Sequence, residues 1–308
     1  MGLYILYSST CFLFIFLLIN FCLKNNLALD NDFTKPQSIH NKRIPRVLGI
    51  SFILLFSLSF YFNYPNYLNF IILTSLICSL PGFFEDFNIN INPTLRFLFQ
   101  ILSLSVCIYF FNDVNILTSL EFVPDVLNNK YFLTIFTIFA ITTIVNSFNF
   151  IDGLDGLLIL YCILIFTFLF LFTNNLFYNN YLLIFILHLI IILLFNYPKS
   201  YAFTGDFGCY FLGYLISLLF IYFHNNFAFS NFNLNDWFFA NLLAYPAFEI
   251  LSTVIRRLVN RKSPFYPDNL HTHSLLNKYI LQKYKYKKSF VASTCIIIAL
   301  IFLLLPLF

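Results

Sequence analysis

Ten stretches of almost unbroken apolar sequence divide the chain, at 2–23, 45–62, 66–84, 95–112, 131–150, 156–173, 180–196, 207–224, 235–256 and 289–307. An apolar run of about 18 residues or more is long enough to cross the hydrocarbon core of a bilayer as a helix. The pattern therefore predicts an all-α, polytopic membrane protein of about ten transmembrane helices. Because ten is even, both termini are expected on the same side. The first run starts next to Met1 with no basic leading region and no small-residue cleavage site, so it reads as a retained first helix.

Positive charge sets the orientation. The loops after the first, third, fifth, seventh and ninth segments, with the segment ends beside them, hold sixteen of the 17 Lys and Arg residues, and only Lys130 falls on the other side. By the positive-inside rule these loops are cytoplasmic and both termini face outward. The loops on the other side are short or bland, and the one with Asp113, Glu121 and Asp125 is net acidic. No linker or repeat separates the segments, so residues 1–308 read as a single integral-membrane domain.

Five polar clusters interrupt the apolar pattern, and the charge map puts all of them in cytoplasmic loops. They span Lys35–Gly49, Pro81–Asp86, Asn146–Gly156, Phe203–Gly208 and Ser263–His273. In the third, Asn146, Asn149, Asp152 and Asp155 recur every three residues, close to one helical turn, and can line one face. Carboxylates beside hydrocarbon are costly and are functional by default. Seven of the eight glycines lie in or beside these clusters, where backbone must turn or approach a ligand closely. Each cluster alone has a plainer reading: Asp206 as a helix cap, Arg256 and Arg257 as topology anchors, His271 and His273 as loop residues near headgroups. Their joint occurrence on one face argues for a built site. His188 and His224, in or beside apolar runs without acidic neighbours in sequence, read as structural.

Composition agrees and narrows the chemistry. With 60% hydrophobic residues, 10% charged and a mean hydropathy of +0.82, the chain is not a soluble domain. The 45 Phe residues, with abundant Asn, Ile and Tyr, suggest an AT-rich genome rather than a Phe-specific role. Seven scattered cysteines form no CxxC pair and read as small hydrophobes. The carboxylates and amides suit Mg²⁺, which takes oxygen ligands and substrate phosphates, while nearby Lys, Arg and His can neutralise phosphate. There is no GxxxxGK[ST] loop, no HExxH and no GxSxG turn, which argues against P-loop, zinc and serine-hydrolase chemistry. Leu275–Lys288 reads as an interfacial amphipathic stretch in which Leu275, Leu276, Tyr279 and Ile280 dip into lipid.

Taken together, the clusters resemble the polyprenyl-phosphate N-acetylhexosamine-1-phosphate transferases of glycosyltransferase family 4. Asn146–Leu157 resembles that family's NxxNxxDGxDGL signature, Phe203–Gly208 its FxGDxG signature, and Arg256–His273 its RRxxxxxSPFxPDxxHxH segment. The last resembles the segment of the undecaprenyl-phosphate GlcNAc-1-phosphate transferase-like branch, which starts O-antigen, enterobacterial common antigen or teichoic acid linkage. Two positions depart from the pattern. Glu85 precedes Asp86 where an Asp-Asp pair is usual, and Ser274 stands where a further His is common.

The resemblance implies transfer of a sugar-1-phosphate from a UDP-N-acetylhexosamine, by default UDP-GlcNAc, to undecaprenyl phosphate in the bacterial cytoplasmic membrane, with release of UMP. It implies Mg²⁺, with Mn²⁺ as an alternative, on Asn149 and Asp206. It gives a catalytic set of Glu85, Asp86, Asp152, His271 and His273, with Glu85 or Asp86 positioning or deprotonating the acceptor. Substrate contacts fall to Lys42, Arg46, Asn146, Asp155, Phe203 and Arg257, with Asp155 and Phe203 on uracil. The partners implied are the two substrates and the bilayer, with a homodimer allowed and no nucleic acid. The rival readings are phospho-MurNAc-pentapeptide transfer, which the missing three-histidine run disfavours; a membrane transporter, which the one-sided acids and absent repeat disfavour; and an inactive relative that only binds polyprenyl phosphate.

Overall fold

Each of the ten apolar segments carries helix in the structure, a computed structural model that describes residues 2–30, 43–61, 65–110, 129–173, 176–227, 236–263, 270–284 and 289–304. The helices are α1 (Gly2–Asn25), α2 (Phe52–Tyr61, entered through a 3₁₀ turn at Leu48–Ser51), α3 (Asn66–Asp86), α4 (Pro93–Phe110), α5 (Lys130–Ile151) and α6 (Leu157–Phe172). They continue as α7 (Leu176–Asn196), α8 (Gly205–Phe227), α9 (Asp236–Leu242), α10 (Ala244–Val259), α11 (Thr272–Tyr284) and α12 (Phe290–Leu304). Among the described residues, α1, α3, α4, α5, α7 and α8 are long and apolar enough to cross a bilayer, and α2, α6 and α12 are shorter apolar helices. The protein is an all-α, multi-pass membrane protein.

The centre of the bundle is α8, with 89% of its apolar window buried. Helices α3 and α5 pack along it. A Cβ on Gly49, in the 3₁₀ turn, would meet the backbone of Gly208, so the two glycines let the entry to α2 cross the first turn of α8 at backbone distance. Outer helices show the two-faced pattern of a protein solvated by lipid. In α1, Tyr7, Cys11, Ile15, Ile19 and Cys22 are buried at helical spacing, while Leu6, Leu13, Phe16 and Leu17 are exposed. His188 is structural: buried in α7, it contacts Tyr7 Oη, Cys11 Sγ at 3.4 Å and Ser51 Oγ at 3.0 Å. Six of the seven cysteines are buried free thiols.

Two expectations change. The ninth segment is not one helix. Pro246 has no N–H to offer the carbonyl of Leu242, which accepts the Tyr161 hydroxyl instead, and the chain breaks at Leu243 into α9 and α10. The stretch after His273 is helix α11, but only part of it faces outward. Leu275 and Tyr279 are exposed, whereas Ile280 is buried and Leu276 packs with it against Leu154, Leu157 and Ala292. The expected lipid-dipping quartet is thus split between surface and core.

Candidate active site

The first and fourth polar clusters are joined through backbone. A two-residue strand, β1 (Leu29–Asp30), pairs antiparallel with β2 (Ile44–Pro45), and the next residue, Arg46, bridges in parallel to Phe203. The N–H of Phe203 donates to Pro45 at 2.8 Å, and those of Leu48 and Gly49 donate to Phe203 and Thr204 at 3.1 and 3.0 Å. Phe203 is half-buried in this ladder. Arg46 is held by Asp30, Nη2 to Oδ1 at 2.8 Å, and lies in the field of Asp86 and Asp206.

The second cluster meets the fourth at the start of α8. Asp86 is buried, with Oδ1 accepting from the N–H of Asp206 at 2.9 Å and Oδ2 from the N–H of Phe207 at 3.0 Å. It caps α8 from another helix, satisfying two of the N–H groups that a helix start leaves unpaired. Gly205, at φ +77°, makes the turn; a side chain there would be strained and would run into the Asp86 carboxylate.

Around this cap lie the remaining acids. Glu85 accepts from Arg96 Nη1 at 2.7 Å and lies in the field of Asp206. The Arg96 guanidinium sits 5.6 Å from the ring centre of Tyr210, one turn along α8 from Asp206. The Tyr210 hydroxyl accepts from Asn149 Nδ2 at 2.9 Å, which leaves the Asn149 carbonyl oxygen as the end available to a cation. Asp152, at the end of α5, accepts from Cys209 Sγ at 3.3 Å. Desolvation, with Asp206 beside it, pushes the Asp152 carboxyl up to about 7 despite the Cys209 bond.

Four carboxylates (Glu85, Asp86, Asp152, Asp206) thus share one field with two guanidinium groups, Arg46 and Arg96. Among the described residues, no three His, Cys, Asp or Glu side chains converge as a metal-holding group. An excess of acid with amide oxygen nearby, short of a complete protein cage, fits a cation that takes part of its shell from substrate phosphate.

The histidine segment closes the other side. Helix α10 turns its polar face inward: Glu249, Thr253 and Arg257 are buried, while Phe248, Leu251, Ile255 and Leu258 are exposed. The Arg257 guanidinium lies 5.4 Å from the Phe150 ring centre. The His271 ring is 5.3 Å from Phe150 and stacks on His273 at 5.3 Å and 4°. A Cβ on Gly153 would collide with His273 Nε2, so the His273 ring abuts the turn after Asp152. Burial lowers the His273 pKa, with Glu249 pulling the other way. The DGLDG turn and the histidine segment therefore share one end of the bundle.

Two expected substrate contacts are engaged with protein. Asn146 Nδ2 donates to Gln100 Oε1 at 2.8 Å and to the carbonyl of Thr142 at 2.7 Å. The buried Asp155 carboxylate accepts from the Ser289 hydroxyl, and its backbone carbonyl accepts from Ser293 at 2.7 Å. Lys42 lies outside the described residues, as does Pro264–Asn269 of the fifth cluster. Arg96 and Glu249 belong to no motif: the first is one of the scattered loop charges and the second lies inside an apolar run. The recurrence of Glu249, Thr253 and Arg257 every four residues was the available signal.

The sequence model of Glycosyl transferase family 4 matches residues 67–224, about half the chain and the part that contains Glu85, Asp86, Asn149, Asp152 and Asp206. A stretch of 86 residues is 31% identical to the undecaprenyl-phosphate alpha-N-acetylglucosaminyl 1-phosphate transferase of Thermotoga maritima. The match covers 28% of this chain and 26% of that relative, so the chain aligns with about a quarter of the relative's length.

Proposed function

The chain belongs to glycosyl transferase family 4, and from that premise we propose that it transfers N-acetylhexosamine-1-phosphate, by default GlcNAc-1-phosphate, from a UDP-sugar to undecaprenyl phosphate. The observation that carries the reading is the meeting of clusters from four separate loops around the start of α8, with acids on one side and a buried His–Arg group on the other. The name of the Thermotoga maritima relative, an undecaprenyl-phosphate alpha-N-acetylglucosaminyl 1-phosphate transferase, supports the same lipid acceptor and sugar-phosphate. In this proposal the site lies at the cytoplasmic face of a bacterial inner membrane with both termini outside, a sidedness that the one-sided positive charge supports. There the product would start a cell-envelope polysaccharide such as O-antigen or a teichoic acid linkage unit.

In this reading an oxygen of the lipid phosphate attacks the sugar-linked phosphorus, and the bond to the UMP oxygen breaks. Asp206 and Asn149 would hold Mg²⁺ or Mn²⁺, which supplies charge stabilisation for the diphosphate and the departing UMP. Phe203 stacks on uracil. Glu85, oriented by Arg96, faces the acceptor phosphate, and Arg46 draws that anion toward the site. Asp152 completes the acidic wall. His271, His273 and Arg257 contact the diphosphate or the sugar from the opposite side. An acceptor that is already anionic needs little activation, which favours direct displacement over a covalent carboxylate intermediate.

Membranes containing the protein, given radiolabelled UDP-GlcNAc and undecaprenyl phosphate, should form labelled lipid. Asp206→Asn should abolish Mg²⁺-dependent exchange of UMP into the UDP-sugar while the protein still inserts. Wild-type turnover in that variant would overturn the metal assignment.

A further inference from the structure

Glu249 is fully buried on α10 and has a specific set of donors. Its Oε1 accepts the N–H of Thr272 at 3.0 Å and the Thr272 hydroxyl, and its Oε2 lies 3.3 Å from His271 Nδ1. His273 Nδ1 is 3.8 Å from Oε1. A carboxylate out of water is tolerated only when such donors surround it, and here they come from the first turn of α11 and the imidazoles beside it.

Nδ1 of His271 has two neighbours, Glu249 Oε2 and Thr253 Oγ1, each at 3.3 Å. The Thr253 hydroxyl can donate or accept, but a carboxylate only accepts, so Glu249 favours the tautomer with hydrogen on Nδ1. The Nε2 edge is then a lone pair in the neutral ring and a second donor in the charged one.

We propose that Glu249 is the positioning residue of the histidine pair: it holds His271 in the Nδ1–H form and seats α11 with the His273 ring against Gly153, so that the Nε2 edge of His271 is the one offered to the phosphates of the sugar nucleotide. This rests on the transferase reading above for the identity of the ligand, but not for the pairing itself. With its oxygens taken by His271 and Thr272, Glu249 would act through His271 and the α11 start.

The experiment uses the full-length protein purified in detergent with Mg²⁺. Selective ¹⁵N-histidine labelling gives a spectrum of only five rings, with His271 assigned by loss of its signal in His271→Gln. Wild-type His271 should be protonated at Nδ1, and Glu249→Gln should abolish that preference. In the exchange assay Glu249→Gln should lower kcat roughly 10–100-fold, the usual effect of removing a carboxylate that orients a functional histidine, with KM for UDP-GlcNAc within about twofold. Glu249→Asp, which keeps the charge, should retain clearly more activity than the Gln variant. An Nε2–H tautomer in the wild type overturns the proposal even if neither Glu249 variant folds. Equal losses in the Gln and Asp variants would make Glu249 a packing residue, and wild-type kcat in Glu249→Gln would dismiss it altogether. A wild type that transfers no label sinks the transferase reading instead, and the tautomer measurement then decides the pairing alone.

Discussion

Replacing Asp86 with Asn separates two roles that an acid at this position could have. In the structure both oxygens are engaged, at 2.9 and 3.0 Å, by the N–H groups that open α8. Asn has the same size but turns one acceptor into an NH₂ group facing an N–H. One charge-assisted bond, worth about 1.5–3 kcal/mol, is lost, and a buried donor without a partner costs about 1–3 kcal/mol. Removing a buried charge beside Asp206 relieves part of this, so the net loss should be about 1–3 kcal/mol. The damage falls on the turn that carries Asp206, where a shift of about 1 Å is enough for a 10²-fold loss of rate. Asp86→Asn should therefore move the midpoint of SDS unfolding in mixed micelles to lower detergent fraction and depress UMP exchange together, with Asp86→Ala worse in both. A variant that unfolds at the wild-type midpoint yet loses exchange would refute the capping argument and return Asp86 to the chemistry. A variant normal in both would remove it from either role.

Two further outcomes follow from the same geometry. Arg96→Lys keeps the charge but loses the planar contact with Tyr210 and the directed bond to Glu85; exchange should fall about tenfold with UDP-sugar binding intact, and an unchanged rate would show that Glu85 is positioned otherwise. Because burial pushes the Asp152 carboxyl up to about 7, a cation at Asp206 should bind more tightly as pH rises through 7 and should release a proton, measurable by calorimetry in buffers of different ionisation heat. Stability without the cation has the opposite sign: the raised pKa gives a contribution that is complete below about pH 4 and lost as pH climbs through 7. A flat cation affinity, or one whose slope survives Asp152→Asn, would count against this.

Much of the architecture could be read from the chain because run length alone decides whether a segment can cross a bilayer. The segment 131–150 became Lys130–Ile151, and 207–224 became Gly205–Phe227. What could not be read depends on a distant partner. Residues 235–256 are apolar throughout, and the break at Leu243 follows from Pro246 together with the Tyr161 hydroxyl that takes over the Leu242 carbonyl. Leu276 and Ile280 suited a membrane surface equally well until α12 and the DGLDG turn covered them. In the site, motif spacing identified residues but not their partners: Asn146 and Asp155 share a period with Asn149 and Asp152, yet one meets Gln100 and the other Ser289.

That division has a physical reason. In lipid, helices gain little from hiding apolar surface against one another, and polar contacts carry more of their mutual orientation. A site made from loop ends at the membrane edge needs each helix start fixed by something other than hydrophobic packing. Asp86 fixes α8, Glu249 fixes α11, and Asp155 engages the residues that open α12. All three are acids whose oxygens have backbone, hydroxyl or imidazole donors. Glu85, Asp152 and Asp206 are different: they crowd one another and share two guanidinium groups with Asp86. Negative charge that protein donors do not fully balance is what a divalent cation and a diphosphate can exploit, because the cation relieves the repulsion before any substrate is held. The useful distinction among the acids at this face is therefore whether an oxygen already has a backbone, hydroxyl or imidazole donor, and by that criterion the proposed chemistry falls to Glu85, Asp152 and Asp206.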